Sequence, residues 1–135
     1  MNLVSVRIVT DDIRRLVAFY EGVTSISAAW ATPDFAEIST PSGTLAFSST
    51  AAIQRFQPSA GTRPASNHSV ILELRVEDVD ADHRRIASLI GTAVQEPTTM
   101  PWGNRSLLFR DPDGNLVNLF TPVTEEARAR QKRGA

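Results

Sequence analysis

The chain has 135 residues, 41% of them hydrophobic, a formal net charge of −1 and no cysteine. Its length and apolar content fit one domain with a sizeable core, and a charge near zero gives no field to draw nucleic acid or an anionic membrane. Without cysteine there are no disulfides, no thiolate metal sites and no cysteine nucleophile.

The opening residues MNLVSVRIV carry no charged leader and no long apolar run, and no later segment approaches a membrane span. A cytoplasmic protein with neither a membrane nor a nucleic-acid partner is expected. Val4, Val6 and Ile8 alternate with Ser5, Arg7 and Val9, which predicts a strand buried on one face. Asp12 opens a helical spacing of Ile13, Leu16, Val17 and Tyr20, with Gly22 near its end. Strands are expected over 26–31, 35–39 and 44–48, separated by the turns Thr32-Pro33-Asp34 and Pro41-Ser42-Gly43. Pro, Gly, Ser and Ala dominate 57–67, which reads as a linker.

The same order then restarts. Leu72, Leu74 and Val76 alternate with Ile71, Glu73 and Arg75; Asp78 opens a second helix with Ile86, Leu89 and Ile90 as its apolar face. Strands are expected over 93–96, 105–110 and 116–120. Residues 124–135 start with a threonine cap and two glutamates and end basic, which predicts a solvated helix aligned with its own dipole.

The restart is an internal duplication. Asp12-Ile13 matches Asp78-Val79, and Pro41-Ser42-Gly43-Thr44-Leu45-Ala46-Phe47 matches Pro112-Asp113-Gly114-Asn115-Leu116-Val117-Asn118 without a gap. The two matches differ in offset by five residues, an insertion that a loop absorbs. The expected architecture is α+β: βαβββ modules at 1–56 and 68–123, the linker 57–67, and a C-terminal helix 124–135, forming one domain.

The segments 12-DIRRLVAFYEGV-23 and 110-RDPDGNLVNLF-120, set in this duplicated order, resemble the vicinal oxygen chelate superfamily of glyoxalases, extradiol dioxygenases and bleomycin-resistance proteins. The resemblance covers nearly the whole chain. It implies curved mixed sheets around a concave cavity, and a homodimer with pockets near the junction of the modules. The Asp-Pro-Asp-Gly-Asn turn itself has a local reason: Pro112 presets φ, the Asp and Asn side chains bond nearby amides, and Gly114 takes a positive φ.

Enzymes of that superfamily hold a divalent metal through His and Glu on the first and last strand of each module. Carried over from Asp12 and Asp78, two of those positions fall on Ser5 and Ile71. Counted from the turn glycines, the others fall on Phe47, or with a slip of one residue on Ala46 or Ser48, and on Asn118. A hydroxyl, two hydrocarbons and an amide are weak ligands for a transition metal. No metal, no other cofactor and no catalytic residue is therefore assigned. His68 and Glu73 are the candidates for displaced ligands if the chain is instead a lyase, isomerase or dioxygenase. His83, within Asp82-His83-Arg84-Arg85, reads as a solvated helix position. A nucleophile elbow, a phosphate loop and a dinucleotide fingerprint are all missing.

Strand alternation puts Ser5, Arg7, Ile71, Glu73 and Asn118 on the concave face, with Val6, Ile8, Leu72 and Leu74 under the helices. Arg7 and Glu73 hold equivalent positions, either as an ion pair across the modules or as ligand contacts. Trp30 and the loop residue Trp102 are candidates for stacking on a planar ligand, or for core or dimer contacts. Phe35 and Phe47 add apolar surface, and Asn104 and Arg105 are placed to orient a carbonyl or carboxylate. A pocket with apolar walls and few polar groups suits binding more than chemistry. The expected function is metal-free binding of an aromatic or amphipathic antibiotic (bleomycin-, mitomycin- or enediyne-like) by sequestration. A non-catalytic protein-interaction module is the remaining alternative.

Overall fold

Asp12 and Asp78 start the two equivalent helices in the same way. Each accepts a hydrogen bond from the backbone N–H three residues on, at 3.2 Å from Arg15 and 3.1 Å from Ala81. An acceptor there satisfies one of the four amides that a helix start leaves unpaired. The computed structural model describes residues 1–133, and the chain divides after Asn67 into two compact units.

In the first unit, β1 (Ser5–Thr10) leads into α1 (Ile13–Thr24), followed by β2 (Ala29–Thr32), β3 (Phe35–Ser39), β4 (Thr44–Ser49) and α2 (Thr50–Phe56). The sheet order is β1-β4-β3-β2, with β1 parallel to β4 and the remaining pairs antiparallel. On α1, Ile13, Leu16, Val17, Tyr20 and Val23 are buried at the spacing of one helix face. The helix has Gly22 near its end, as the sequence predicts. It runs to Thr24 so that Val23 is buried, and ends at Ser25, whose φ of 58° gives a left-handed cap bonded back to Glu21.

In the second unit, β5 (Ile71–Arg75), α3 (Val79–Ile90), β6 (Gln95–Thr99), β7 (Asn104–Arg110), β8 (Leu116–Pro122) and α4 (Glu125–Arg133) repeat the plan. The sheet order is β5-β8-β7-β6, with β5 parallel to β8. Both sheets are mixed, and the α+β architecture of two βαβββ modules is the one the sequence predicts. The expected helix at 124–135 runs past the described residues at 134 and 135.

Several expectations are corrected. The helix α2 fills 50–56, between the expected strand end at 48 and the linker at 57, where no element is expected from the sequence. Ser49 caps it, accepting from Ala52 N–H at 3.0 Å. A helix thus follows the last strand in each unit, so α4 is the second copy of α2 rather than an appendage. The segment 57–67 contains a short 3₁₀ turn at Pro58–Ala60. Strand β6 sits two to three residues later than expected; it is an edge strand with Pro97 at its centre and an irregular register between Gln95 and Thr98. An edge position tolerates a residue that cannot donate. Val6 is 42% exposed instead of packing under a helix, because β1 is an edge strand and α1 lies over β3 and β4. Leu89 is likewise exposed on α3, whose buried residues are Val79 and Ile86.

The offset between the modules is also corrected. Ser5 pairs with Thr44, and its counterpart Ile71 pairs with Leu116. Thr44 directly follows Gly43, whereas Asn115 intervenes between Gly114 and Leu116. The first turn is therefore one residue shorter, and the counterpart of Asn118 is Ala46, not Phe47.

Candidate functional site

Residues paired across neighbouring strands share a face of the sheet, so the registers sort the candidates. Phe47 pairs with Ile8 and Ala36, and Ala36 with Trp30. The Phe47 ring lies 5.6 Å from that of Tyr20 on α1 and is fully buried. This row is the α1 face. Phe47 is thus a core residue and not part of an open pocket wall, and Trp30 stands at the outer edge of the same face. The opposite, open face of the first sheet carries Ser5, the row Arg7–Ala46–Glu37, and Phe35 beside Ser48. Arg7 donates to Gln57 Oε1 at 2.7 Å, just past α2.

In the second sheet, Leu107, Phe109, Val117 and Leu119 are buried on the α3 side. Arg105 shares that side, since it pairs with Thr121. Its guanidinium grips Asp80 in the first turn of α3, with Nε to Oδ2 at 2.7 Å and Nη2 to Oδ1 at 3.0 Å, and reaches Thr99 at 3.3 Å. The hydrogen bond from Arg105 holds the Asp80 carboxyl below its ordinary range and raises Arg105 in turn. Arg105 is therefore taken up by a helix tether on the face away from Glu73. Asn104, its neighbour, falls on the other face, opposite Pro122.

The open face of the second sheet carries Ile71, Glu73 and Asn118. Ile71 is 49% exposed, an apolar group left to solvent. Glu73 and Asn118 are direct cross-strand partners, and Asn118 Nδ2 donates to Glu73 Oε2 at 2.8 Å. A carboxylate only accepts, so the amide must turn its nitrogen to Glu73 and its oxygen away. That oxygen, Oδ1, is buried and has no hydrogen-bond partner among the described residues. Asn118 as a whole is only 9% exposed.

Trp102 sits in the turn between β6 and β7. Gly103, with φ of 90°, accepts from Val123 N–H at 2.9 Å, and the Trp102 carbonyl accepts from Arg130 on α4. The loop is thereby fastened to the start of α4 while the Trp102 side chain stays 56% exposed. Trp30, 43% exposed, lines a pocket of ≈590 Å³ with Arg14 of α1 and the turn at Thr32 and Pro33. Arg14 was not singled out by the sequence; its place one position past Ile13 on the exposed side of α1 was the available signal.

The Asp-Pro-Asp-Gly-Asn turn is structural. Asp111 Oδ1 accepts from the N–H groups of Asp113 and Asn115, both at 2.9 Å, and Oδ2 accepts from Asn115 Nδ2 at 2.8 Å. Gly114 has φ of 82°.

The positions at which the superfamily's metal ligands stand are Ser5 and Ala46 in the first unit and Ile71 and Asn118 in the second. The shift from Phe47 to Ala46 exchanges one hydrocarbon for another. Asn118 offers a neutral amide oxygen, and the adjacent carboxylate is already bonded to its nitrogen. His68, the other suggested ligand, is exposed three residues before Ile71. Among the described residues no three His, Cys, Asp or Glu side chains group as a metal site would need. This donor set does not fit a divalent transition metal.

Paired mixed sheets, each with one helix-covered face and one open face, define a duplicated βαβββ protein. The chain belongs to the Glyoxalase/Bleomycin resistance protein/Dioxygenase superfamily, whose model matches residues 2–119. It is similar in fold to a glyoxalase/bleomycin resistance protein/dioxygenase from Nocardioides, at 21% identity and a TM-score of 0.74 over 93% of this chain and 85% of the other. A family enzyme from Burkholderia phytofirmans PsJN superposes with a TM-score of 0.77 at 20% identity, over 88% of this chain and 97% of that one. A virulence protein from Salmonella typhimurium gives 0.72 at 22% identity, over 91% and 98%. No curated protein matches the chain. Among the described residues no helix is long and apolar enough to cross a membrane.

Proposed function

We propose that this chain is a metal-free small-molecule binding protein that sequesters an aromatic or amphipathic antibiotic of the bleomycin, mitomycin or enediyne kind. The observation that carries the reading is the Asn118 amide. Its nitrogen is fixed by Glu73, and its oxygen is buried without a donor. A buried acceptor left unpaired costs roughly 1–3 kcal/mol; the oxygen is covered in the unliganded chain, so a ligand N–H or O–H group recovers that cost by displacing the side chains over it. Around it, Ile71 supplies exposed apolar surface, and Glu73 has a second carboxylate oxygen for a donor or cation. The same position in a metal enzyme of the superfamily would hold a ligand; here it holds a neutral amide that donates to Glu73.

Sequestration works by mass action, so it needs abundant protein and a dissociation constant below the free drug concentration. The reading includes a cytoplasmic homodimer, the assembly implied by the resemblance. Sedimentation of the purified chain tests that part.

The experiment is a tryptophan-fluorescence titration with bleomycin, mitomycin and an enediyne, run with and without chelator. Saturable quenching that chelator leaves unchanged, and that Asn118→Ala weakens about tenfold or more, is the expected result. Turnover of the drug by metal-free protein, or flat traces across the panel, would overturn the reading. Trp30→Phe and Trp102→Phe assign the signal.

A further inference from the structure

We propose that the second unit carries an anion-binding site between α4 and the end of β5, suited to a carboxylate or phosphate group on a small apolar body. It is separate from the Glu73–Asn118 pair and does not depend on the function proposed above. A pocket of ≈410 Å³ opens there. Arg75 lines it from the end of β5, and Arg128 and Lys132 line it from α4.

The three cations form no hydrogen bond or ion pair with their side chains among the described residues. Arg128 and Lys132 are one helical turn apart, a spacing at which like charges repel, and Arg75 adds a third. The helix dipole accounts for basic residues late in α4 but not for an arginine facing them from a strand. Glu77 at the pocket offsets one of the three charges and leaves an excess of two. An oxyanion is the group that offsets the rest, and the forked donors of two guanidiniums suit it.

The pocket volume sets the rest of the ligand. It falls in the roughly 300–1,000 Å³ range of small-molecule pockets and far exceeds the ~30 Å³ share of a water molecule. Val76 and Pro122 line it together with Thr121 and Gln131, and the aliphatic stems of the arginines and lysine add to the wall, so the space left over is mostly apolar.

The first unit shows that the fold does not require this arrangement. Its helix α2 packs on both β1 and β4. The position equivalent to Arg75 there is Val9, since Val9 pairs with Ser48 as Arg75 pairs with Phe120. At the end of α2, Arg55 is stacked on the Phe56 ring. Only the second copy exchanges the valine for an arginine and turns unpaired cations towards it.

The test is a titration of ¹⁵N-labelled full chain with phenyl phosphate and with benzoate, followed at the arginine Nε–Hε resonances. Saturable shifts at Arg75 and Arg128, with Arg14 and Arg105 unmoved, are expected, and the tighter of the two ligands identifies the preferred oxyanion. Arg75→Gln and the double variant Arg128→Gln/Lys132→Gln should each weaken binding at least tenfold. These side chains are exposed, so the variants should keep the native melting temperature. Shifts spread evenly over all arginines, no saturation with either ligand, unweakened binding in variants that retain the native fold, or tight binding of a DNA oligonucleotide in place of both, would overturn the proposal.

Discussion

Asn118 and Glu73 face each other across the parallel pairing of β5 and β8, with the amide nitrogen 2.8 Å from the carboxylate. The bond fixes which way the amide points and leaves a buried oxygen looking for a donor. Replacing Asn118 by Asp sets two carboxylates at that distance and raises the pKa of at least one above its unfolded value of about 4. The folded variant then binds more protons than the unfolded chain above that pH, so its stability falls as pH rises. Asn118→Asp should match the native protein near pH 4 and lose roughly 1–2 kcal/mol by pH 8. Denaturant titrations at the two pH values check this; an equal loss at both would show that repulsion is not the cause.

Gly103 is held against Thr124. A Cβ built on Gly103 would lie 2.0 Å from Thr124 Oγ1, and its φ of 90° already disfavours a side chain. Gly103→Ala should therefore cost about 2–4 kcal/mol and loosen α4 from the Trp102 turn. Gly61→Ala, where φ is also positive but no atom lies within 4 Å, should cost only about 1 kcal/mol. Thermal unfolding of the two variants, with Trp102 emission as a local reporter, separates the contact from the backbone strain.

The two phenylalanines of the first sheet should differ in how much their loss costs. Phe47 is fully buried against Tyr20, so Phe47→Ala should cost about 3–5 kcal/mol. Phe35 lies on the open face and is only partly buried. Phe35→Ala should cost roughly 1–2 kcal/mol. Similar losses in urea melts would contradict the face assignment.

The Arg105–Asp80 bridge is exposed enough for solvent and salt to screen it, so its effect on stability should be small. Its sign is set. Asp80 has a depressed folded pKa because of the Arg105 hydrogen bond. Its contribution is present above the unfolded carboxylate value and disappears as pH falls through the folded one. Asp80→Asn should lower the melting temperature slightly at pH 7 and low salt, with the difference vanishing in molar salt and at strongly acid pH. A larger difference in molar salt would point to a packing role instead.

The duplicated architecture was legible in the sequence because its signals are local. An aspartate before an apolar helical run is a cap wherever it occurs, and Asp12 and Asp78 both act as one. The turn at Asp111–Asn115 closes on its own side chains, so its form needs no distant partner. Strand alternation likewise placed Glu73 and Asn118 on a common face, which their pairing bears out.

The tertiary structure decided the rest. Whether the turn after Ser39 takes the same number of residues as its counterpart at Asp111 is settled by how β4 pairs with β1. One residue of difference moves a whole strand's side chains to the other face. That slip sends Phe47 into the core and brings Ala46 beside Arg7. Local sequence also could not say that Arg105 would be claimed by Asp80, or that Arg75 would meet Arg128 and Lys132 at one pocket. Such meetings depend on where a helix lands on a sheet, and that is set by packing between residues far apart in the chain.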